Sequence, residues 1–320
     1  MSRGPLFESD YKPQFSGHET FPLRYGWLLK AYVAATPEQP ELVPTNNVFN
    51  ATDAIAKFGV GKNMVASIRH WATMAGVIES SPDNKVIKPT ALGDLIFGPE
   101  GLDTYLENPN SLWLFHWNLS SNPQKTTWYW FFSHFQHRFF ERDQIQKSLY
   151  KLAEEQGWQR SSGATIKRDV ECFLRTYASK SGDKKSSVED QLECPLAELS
   201  LIKAVGKRDG FQIVRGPKPT LGDGVFVYAL CNFWDSFTSA NNLSLEAITH
   251  EPGSPGRVFA LDESSISERL QRIEITTKGK VGWSETAGMK QVTKFGVLSA
   301  KEQLILVEND YAIRSSTRAA

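Results

Sequence analysis

Residues 51–89 read ATDAIAKFGVGKNMVASIRHWATMAGVIESSPDNKVIKP, and the order of residue types in this stretch predicts helix, turn, helix and hairpin. The helices are expected over Ala51–Phe58 and Lys62–Ile78, because the glycines at 59 and 61 interrupt the helical pattern between them. A polar turn and the strand Lys85–Pro89 complete the hairpin. This order of elements predicts a winged helix.

The second of these helices has an apolar face and a polar face. Helical spacing places one set of apolar residues on the inner side, namely Val65, Ile68, Ala72 and Ala75. The opposite side carries Lys62, Ala66, Arg69 and Thr73, so it could enter a major groove. Lys85 and Lys88 lie where a wing would meet a phosphate backbone. We predict that DNA is contacted by five polar residues of this region, Lys62, Asn63, Arg69, Lys85 and Lys88.

A second helix-turn-helix pattern lies farther along the chain. Its helices are expected over Gln144–Glu155 and Thr165–Tyr177, with Gly157 ending the first and Ser161-Ser162 capping the second. The inner stripe of the second helix is Ile166, Val170, Phe173 and Tyr177. Its outer face would present three cations to DNA, Lys167, Arg168 and Arg175.

The charge of the chain is zero in sum but unevenly distributed. It has 36 Lys and Arg residues against 36 Asp and Glu residues, so binding to a polyanion must depend on local basic faces. Basic residues are in excess over 57–92, 151–185 and 203–218, and acidic residues over 240–275. The basic regions suggest where DNA lies, and the acidic region suggests where a partner protein docks.

The last of the basic regions could form another wing. Phe211–Arg215 has the composition of a strand, and Gly216-Pro-Lys-Pro219 that of a turn. We place Lys207 and Arg208 among the predicted DNA contacts for this reason.

The aromatic segment 111–140 has two interpretations. It holds four of the nine Trp residues, which could stack on the bases of single-stranded nucleic acid. Few Lys or Arg residues lie between the rings, however, so a buried pair of helices around Asn122-Pro123 is favoured.

The C-terminal part of the sequence predicts a mixture of helices and short strands. An apolar helix is expected over Val225–Phe237 and an amphipathic one over Ser264–Ile273. Strands are expected over three apolar runs, Arg257–Leu261, Ile273–Thr277 and Leu304–Val307. The predicted fold is mainly α with small β-hairpins (α+β), comprising winged-helix or helix-turn-helix modules followed by a mixed C-terminal region. Its expected domains are 1–110, 111–238 and 239–320.

The cysteines and the apolar runs indicate the compartment. Cys172, Cys194 and Cys231 match neither a disulfide framework nor a zinc site, so we expect three buried, reduced thiols. The polar N-terminal residues do not resemble a signal peptide, and the most apolar run, 128–140, is too short and too polar to span a bilayer. We therefore expect a cytoplasmic protein that does not contact a membrane.

Two places in the sequence offer candidate catalytic residues. In Phe15-Ser-Gly-His-Glu-Thr-Phe21, Gly17 permits a sharp turn that brings His18 and Glu19 together as an acid/base or metal-binding pair. The structural alternative is a hydrophobic staple in which Thr20 caps the next helix. Asp262 and Glu263 follow a predicted strand and could form a metal-binding pair, although Asp262 is equally placed to cap a helix.

Familiar catalytic motifs are missing from the sequence. Gly59-Val-Gly-Lys62 lacks the spacing of a phosphate-binding loop, and Pro22 stands where a zinc-protease helix needs its second histidine. Neither a nucleophile elbow nor a dinucleotide fingerprint occurs, so no nucleotide cofactor is predicted. Nuclease chemistry usually needs either two or three carboxylates that converge on a divalent ion, Mg²⁺ or Mn²⁺, or a histidine that acts as the base.

Three segments together resemble a known family. They are Phe15–Arg24 with Trp27-Leu28, Gly59–Val65 with Ile68, Arg69 and Trp71, and Gly253–Phe259. This combination is similar to the domain-of-unknown-function 4007 family, which includes SspB-like proteins of bacterial DNA phosphorothioation systems. The matched polar residues are His18, Glu19, Arg24, Lys62 and Arg69, and we place Arg24 among the DNA contacts.

The resemblance implies a protein that acts with a cysteine desulfurase and a sulfur-activating ATPase to replace a backbone phosphate oxygen by sulfur. It also implies nicking of duplex DNA and a role in anti-phage defence. Our hypothesis from the sequence is a double-stranded DNA-binding protein, forming a homodimer that matches two half-sites, which nicks its target. The alternatives are a non-catalytic DNA-reading adaptor and a winged-helix transcriptional regulator.

Overall fold

The computed structural model describes residues 4–37, 47–83, 85–159, 161–178, 194–206, 210–286 and 288–318. The chain forms two compact units, each assembled from separated segments. Unit 1 comprises residues 1–11, 108–138 and 213–320, and unit 2 comprises residues 12–107 and 139–212. We predicted three consecutive domains, and these boundaries differ because segments far apart in the sequence pack together.

Unit 2 contains the two segments of the chain for which we predicted helix-turn-helix patterns. In its first part, the helices are α1 (Trp27–Ala35), α2 (Ala54–Phe58), α3 (Lys62–Met74) and α4 (Ala91–Phe97), and the hairpin strands are β1 (Ile78–Ser80) and β2 (Ile87–Pro89). Its second part contains β3 (Phe139–Glu141), α7 (Arg142–Glu155), α8 (Gly163–Tyr177), β4 (Ile202–Val205) and β5 (Gly210–Ile213). The strands β1 and β2 pair antiparallel, and β5 lies between β3 and β4.

The local sequence explains where these helices begin and end. Helix α1 begins at Trp27, because Gly26 before it adopts a left-handed conformation with φ 76°. Helix α3 ends at Met74, before the predicted end at Ile78. Gly76 has φ 76°, and the amides of Gly76 and Val77 bond to the carbonyls of Thr73 and Ala72, a Schellman motif that releases the chain into β1.

Unit 1 is built around an aromatic helical pair. The helices are α5 (Pro109–Ser120), α6 (Thr126–His134), α9 (Asp223–Phe237), α10 (Leu245–His250), α11 (Pro255–Val258), α12 (Glu263–Gln271), α13 (Ile273–Thr276) and α14 (Ala300–Arg318). The strands are β6 (Asn242–Ser244), β7 (Val281–Thr286) and β8 (Met289–Lys294), with β8 in the centre of an antiparallel sheet. Trp113, Trp117, Trp128 and Trp130 are buried, so the buried-pair interpretation is confirmed and base stacking by these rings is contradicted.

Three strand predictions for unit 1 are wrong, because helix-starting signals outweigh the apolar runs. Arg257 lies in α11, which Ser254 caps and Pro255 begins. The run from Ile273 forms the helical turn α13. The run from Leu304 lies inside α14, where the Ser299 hydroxyl accepts from the Glu302 amide and the Glu302 carboxylate accepts from the Ser299 amide. This capping box is visible in the sequence as Ser-x-x-Glu.

The fold as a whole is mixed α+β, with many helices and small antiparallel sheets. The three cysteines are buried and free, as predicted. Within the described part of the chain, no helix combines the length and the apolar composition needed to cross a membrane.

Candidate functional site

The segment Phe15–Phe21 of unit 2 forms a tight, partly strained turn around a buried histidine. Gly17 has φ 108°, and both Glu19 and Thr20 have positive φ values, 46° and 68°, which non-glycine residues rarely adopt. His18 is only 2% exposed. A turn of this kind persists only where surrounding contacts hold it.

The partner of His18 is Asp169, on the inner side of α8. The Nε2 atom of His18 lies 2.7 Å from Oδ1 of Asp169, and both side chains are buried. The Thr20 amide donates to Nδ1 of His18 at 3.0 Å. Since Nδ1 accepts a hydrogen bond, the ring proton is assigned to Nε2, which donates to the carboxylate.

The same segment is fastened to α3. The Ser67 hydroxyl donates to the His18 carbonyl oxygen at 3.0 Å, and the Trp71 indole donates to the Phe21 carbonyl oxygen at 3.0 Å. A Cβ atom on Gly17 would lie 2.3 Å from the ring of His70, so only glycine fits at this position. The segment therefore joins α3 to α8, the two helices that we predicted to contact DNA.

This geometry separates the two residues that we predicted to act together. Glu19 is exposed, whereas His18 is buried against Asp169. Sequence reasoning missed Asp169, although a signal was present: Asp169 follows Ile166 by three residues and precedes Phe173 by four. An acid on the inner stripe of a helix needs a buried partner.

The predicted role of Thr20 as a helix cap is also wrong. Gly26 occupies the N-cap position of α1, and no side chain caps this helix. Arg24 is half-buried, with its guanidinium 5.8 Å from the ring centre of Phe21 and 5.6 Å from that of Trp27. Arg24 thus packs over aromatic rings.

The burial of α3 agrees with its predicted faces. Val65, Ile68, Ala72 and Ala75 are buried. Lys62 and Asn63 are exposed in the first turn, and Gly61 precedes them without a side-chain cap. Arg69 is less exposed, its Nη2 atom lies 3.5 Å from the Ser80 hydroxyl, and burial lowers its pKa.

The lysines of the hairpin are neutralised by acidic neighbours. Lys85 lies 3.3 Å from the carboxylate of Asp83, and Lys88 lies 3.0 Å from that of Glu79. All four side chains are exposed, so these ion pairs contribute little to stability. They nevertheless reduce the positive potential of the hairpin.

The outer face of α8 presents cations as predicted. Ile166, Val170, Phe173 and Tyr177 are buried, while Lys167, Arg168 and Arg175 are exposed. Among the described residues, Lys167 and Arg168 have neither a hydrogen bond nor an ion pair. The predicted contacts Lys207 and Arg208 lie outside the described residues.

Comparison with known proteins assigns the chain to a family. The model of the family described as "Protein of unknown function (DUF4007)" matches residues 15–311. The chain belongs to the DUF4007 family. A search of curated proteins found no match.

Two solved structures are similar to this DUF4007 protein. One is a magnesium ion-bound SspB crystal structure, with 27% identity and a TM-score of 0.80, covering 94% of this chain and 89% of that one. The other is an SspB crystal structure, with 26% identity and a TM-score of 0.79, covering 99% of this chain and 97% of that one.

The second pair of predicted catalytic residues in the DUF4007 protein lies in unit 1. Asp262 caps α12 by accepting from the Ser265 amide at 2.9 Å, as the structural interpretation predicted. Hydrogen bonds from Ser265 lower the pKa of the Asp262 carboxyl. Glu263 is exposed, and its carboxylate lies 4.0 Å from Lys290.

These DUF4007 residues do not fit a prebuilt metal centre. In the described ranges, no group of three or more His, Cys, Asp or Glu side chains could hold a metal ion. One residue of each predicted pair is engaged elsewhere: Asp262 caps a helix, and His18 is bound to Asp169. We therefore derive no reaction step through a metal.

Proposed function

We propose that this DUF4007 protein binds double-stranded DNA as a component of a phosphorothioation system. The region from α2 to β2 would act as a winged helix, with α3 in the major groove and the hairpin beside the backbone. The similarity to SspB supports the link to phosphorothioation. The partners would be a cysteine desulfurase and a sulfur-activating ATPase, and the setting anti-phage defence.

One observation carries the proposal of DNA binding. Lys62, Lys167 and Arg168 are exposed cations without a described partner, and they lie on the outer faces of α3 and α8. Unpaired cations on a protein of zero net charge are available to replace the counterions of a phosphate backbone. The Phe15–Phe21 segment, bonded to both helices, would fix the faces in one arrangement.

The start of α3 supports the same proposal. No side chain caps its N-terminus, where the helix dipole is positive and backbone amides point outward. Lys62 and Asn63 occupy this exposed first turn. A backbone phosphate placed there would meet both the amides and the lysine.

Charge reversal tests the proposed faces. We expect Lys62→Glu and Arg168→Glu each to weaken binding to a duplex about tenfold, because each removes a charge-assisted contact worth at least 1.5 kcal/mol. The slope of log affinity against log salt should fall by about 1 per substitution. Fluorescence anisotropy over a salt series measures both quantities.

The control is Lys12→Glu, which reverses an exposed charge elsewhere in unit 2. This variant should bind the duplex with wild-type affinity, apart from the small loss that any added negative charge causes. Equal losses in all three variants, or a wild-type affinity that does not depend on salt, would contradict the proposal.

Nicking needs a separate test, because the geometry favours the non-catalytic adaptor. His18 and Asp262 make hydrogen bonds that stabilise the fold. Glu19 and Glu263 are exposed, and among the described residues no carboxylates converge with them on a metal site. We expect supercoiled plasmid incubated with the protein and Mg²⁺ or Mn²⁺ to be shifted in a gel but to remain supercoiled. A chelator-sensitive open-circular product would instead establish the nickase, which the family resemblance implies.

A homodimer would extend the DNA-binding surface over two half-sites. Light scattering with and without a duplex measures this state. A 1:1 complex at all concentrations would contradict it.

A further inference from the structure

Two arginines of unit 1 lie on turns that are bonded to each other. Arg215 follows β5, and Arg257 lies in α11. The Gly216 amide donates to the Ala260 carbonyl oxygen at 3.0 Å, and the Ala260 amide donates to the Arg257 carbonyl oxygen at 3.1 Å. The first of these hydrogen bonds joins the two arginine-bearing turns, and the second lies within the turn of Arg257.

A buried lysine is hydrogen-bonded to both of these turns. The Nζ atom of Lys218 donates to the carbonyl oxygens of Val214 at 3.0 Å, Gly216 at 3.2 Å and Ala260 at 3.4 Å. Burial lowers the pKa of Lys218 to about 8, although Asp262 raises it. Lys218 thus crosslinks the turns and adds a third positive charge beside the two arginines.

Neither of the two arginines forms an ion pair with a described residue. Among the described residues, Arg215 has no hydrogen bond or ion pair, and the hydrogen bond of Arg257 runs from Nε to the His250 carbonyl oxygen at 3.1 Å. Glu251 attracts Arg257 without forming an ion pair within 4.0 Å. Burial lowers the pKa of both guanidinium groups, and the charge of Arg257 lowers that of Arg215 further.

Another pair of arginines in unit 1 differs because it forms ion pairs with an acid. Arg269 and Arg272 share one acid, Asp223, at distances of 2.7 and 2.8 Å. One carboxylate thus forms an ion pair with both guanidinium groups. Among the described residues, neither Arg215 nor Arg257 forms an ion pair with an acid, while Arg215 is exposed and therefore accessible to a ligand.

We infer that Arg215 and Arg257 form an oxyanion-binding subsite that takes a phosphate group. An anion between two partly desolvated guanidinium groups replaces their repulsion by attraction, and the planar fork of arginine matches phosphate oxygens. The inference rests on the proposed function in one respect: the DNA backbone is the expected source of the phosphate. The recognition chemistry is the same for a free phosphate ion.

Inorganic phosphate tests the subsite directly. At constant ionic strength, phosphate should raise the unfolding temperature of the full chain, with saturation. Arg215→Gln and Arg257→Gln should each raise the half-saturating concentration about tenfold, since each removes a charged partner of the anion. Arg215→Gln breaks no described hydrogen bond, so it should fold normally.

The control is Lys301→Gln, which removes an exposed cation of α14. This variant should respond to phosphate as the wild type does. No saturable stabilisation of the wild type, or the same response in all four proteins, would overturn the subsite.

A duplex distinguishes the two sources of phosphate. If DNA supplies it, the two arginine variants should bind a duplex about tenfold more weakly, with a salt slope smaller by about 1. Loss of DNA binding in the Lys62 and Arg168 variants alone would overturn the DNA assignment and leave the proposed function intact. Stabilisation by phosphate in a wild type that binds no DNA would support a free-ion subsite and overturn the proposed function.

Discussion

Replacing His18 with alanine should lower the free energy of unfolding of unit 2 by about 3 kcal/mol, because a buried polar group left without its hydrogen-bond partner costs about 1–3 kcal/mol and a charged one costs more. The substitution leaves the carboxylate of Asp169, which is 1% exposed, without its donor. It also removes the ring acceptor that holds the Thr20 amide in its left-handed turn. Chemical denaturation followed by tryptophan fluorescence measures the loss.

The matched control is Glu19→Ala, one residue away. Its side chain is exposed, so the free energy of unfolding should change by no more than about 0.5 kcal/mol. Asp169→Asn should cost less than His18→Ala, because an amide oxygen still accepts from Nε2. If His18→Ala leaves stability unchanged but removes a measured activity, His18 is catalytic and our structural assignment is wrong.

Acidification should destabilise unit 1 through His116. This ring is fully buried, its Nε2 atom donates to the Val258 carbonyl oxygen at 2.8 Å, and burial lowers its pKa to about 3. The unfolded chain takes up a proton near pH 6.5, whereas the folded chain does not until near pH 3. Stability from this group is therefore present above pH 6.5 and is lost as the pH falls, by about 2 kcal/mol between pH 7 and pH 5.

Two other groups of unit 1 titrate in the same window. Burial lowers the pKa of His134 to about 4, which adds to the loss, and raises the pKa of Asp310 to about 6, which opposes it. Because of these groups, the test compares variants. The difference in unfolding free energy between pH 7 and pH 5 should shrink by about 2 kcal/mol in His116→Phe, which cannot take up the proton. An identical pH dependence in this variant would contradict a neutral, buried His116.

The helices were predictable where their signals are local. The inner faces of α3 and α8 and the caps by Ser162 and Asp262 agree with the sequence, because periodicity and capping involve residues within one or two turns. The strand predictions were wrong where the sequence contains a helix-starting signal. Both signals, Ser254-Pro255 and the Ser299–Glu302 capping box, are present in the sequence, but the strand predictions rested on apolar composition.

The candidate site was less predictable than the helices. The sequence singled out Phe15–Phe21 correctly as an unusual segment, but it paired His18 with its neighbour Glu19. It also placed Lys85 and Lys88 against a phosphate backbone, whereas the hairpin brings Asp83 and Glu79 within ion-pair distance of them. Charge counted along a chain does not show which charges are neutralised.

The sequence by itself determined the helical faces, the buried aromatic pair, the reduced cysteines and the family resemblance, because each depends on residue type at short spacing. Only the tertiary structure decided that His18 bonds to Asp169, 151 residues away, and that Arg215 lies beside the turn of Arg257. Such pairs depend on which distant segments pack together. A buried polar group without a hydrogen-bond partner lowers the stability of the fold, and the residues near it in the sequence do not show whether it has such a partner.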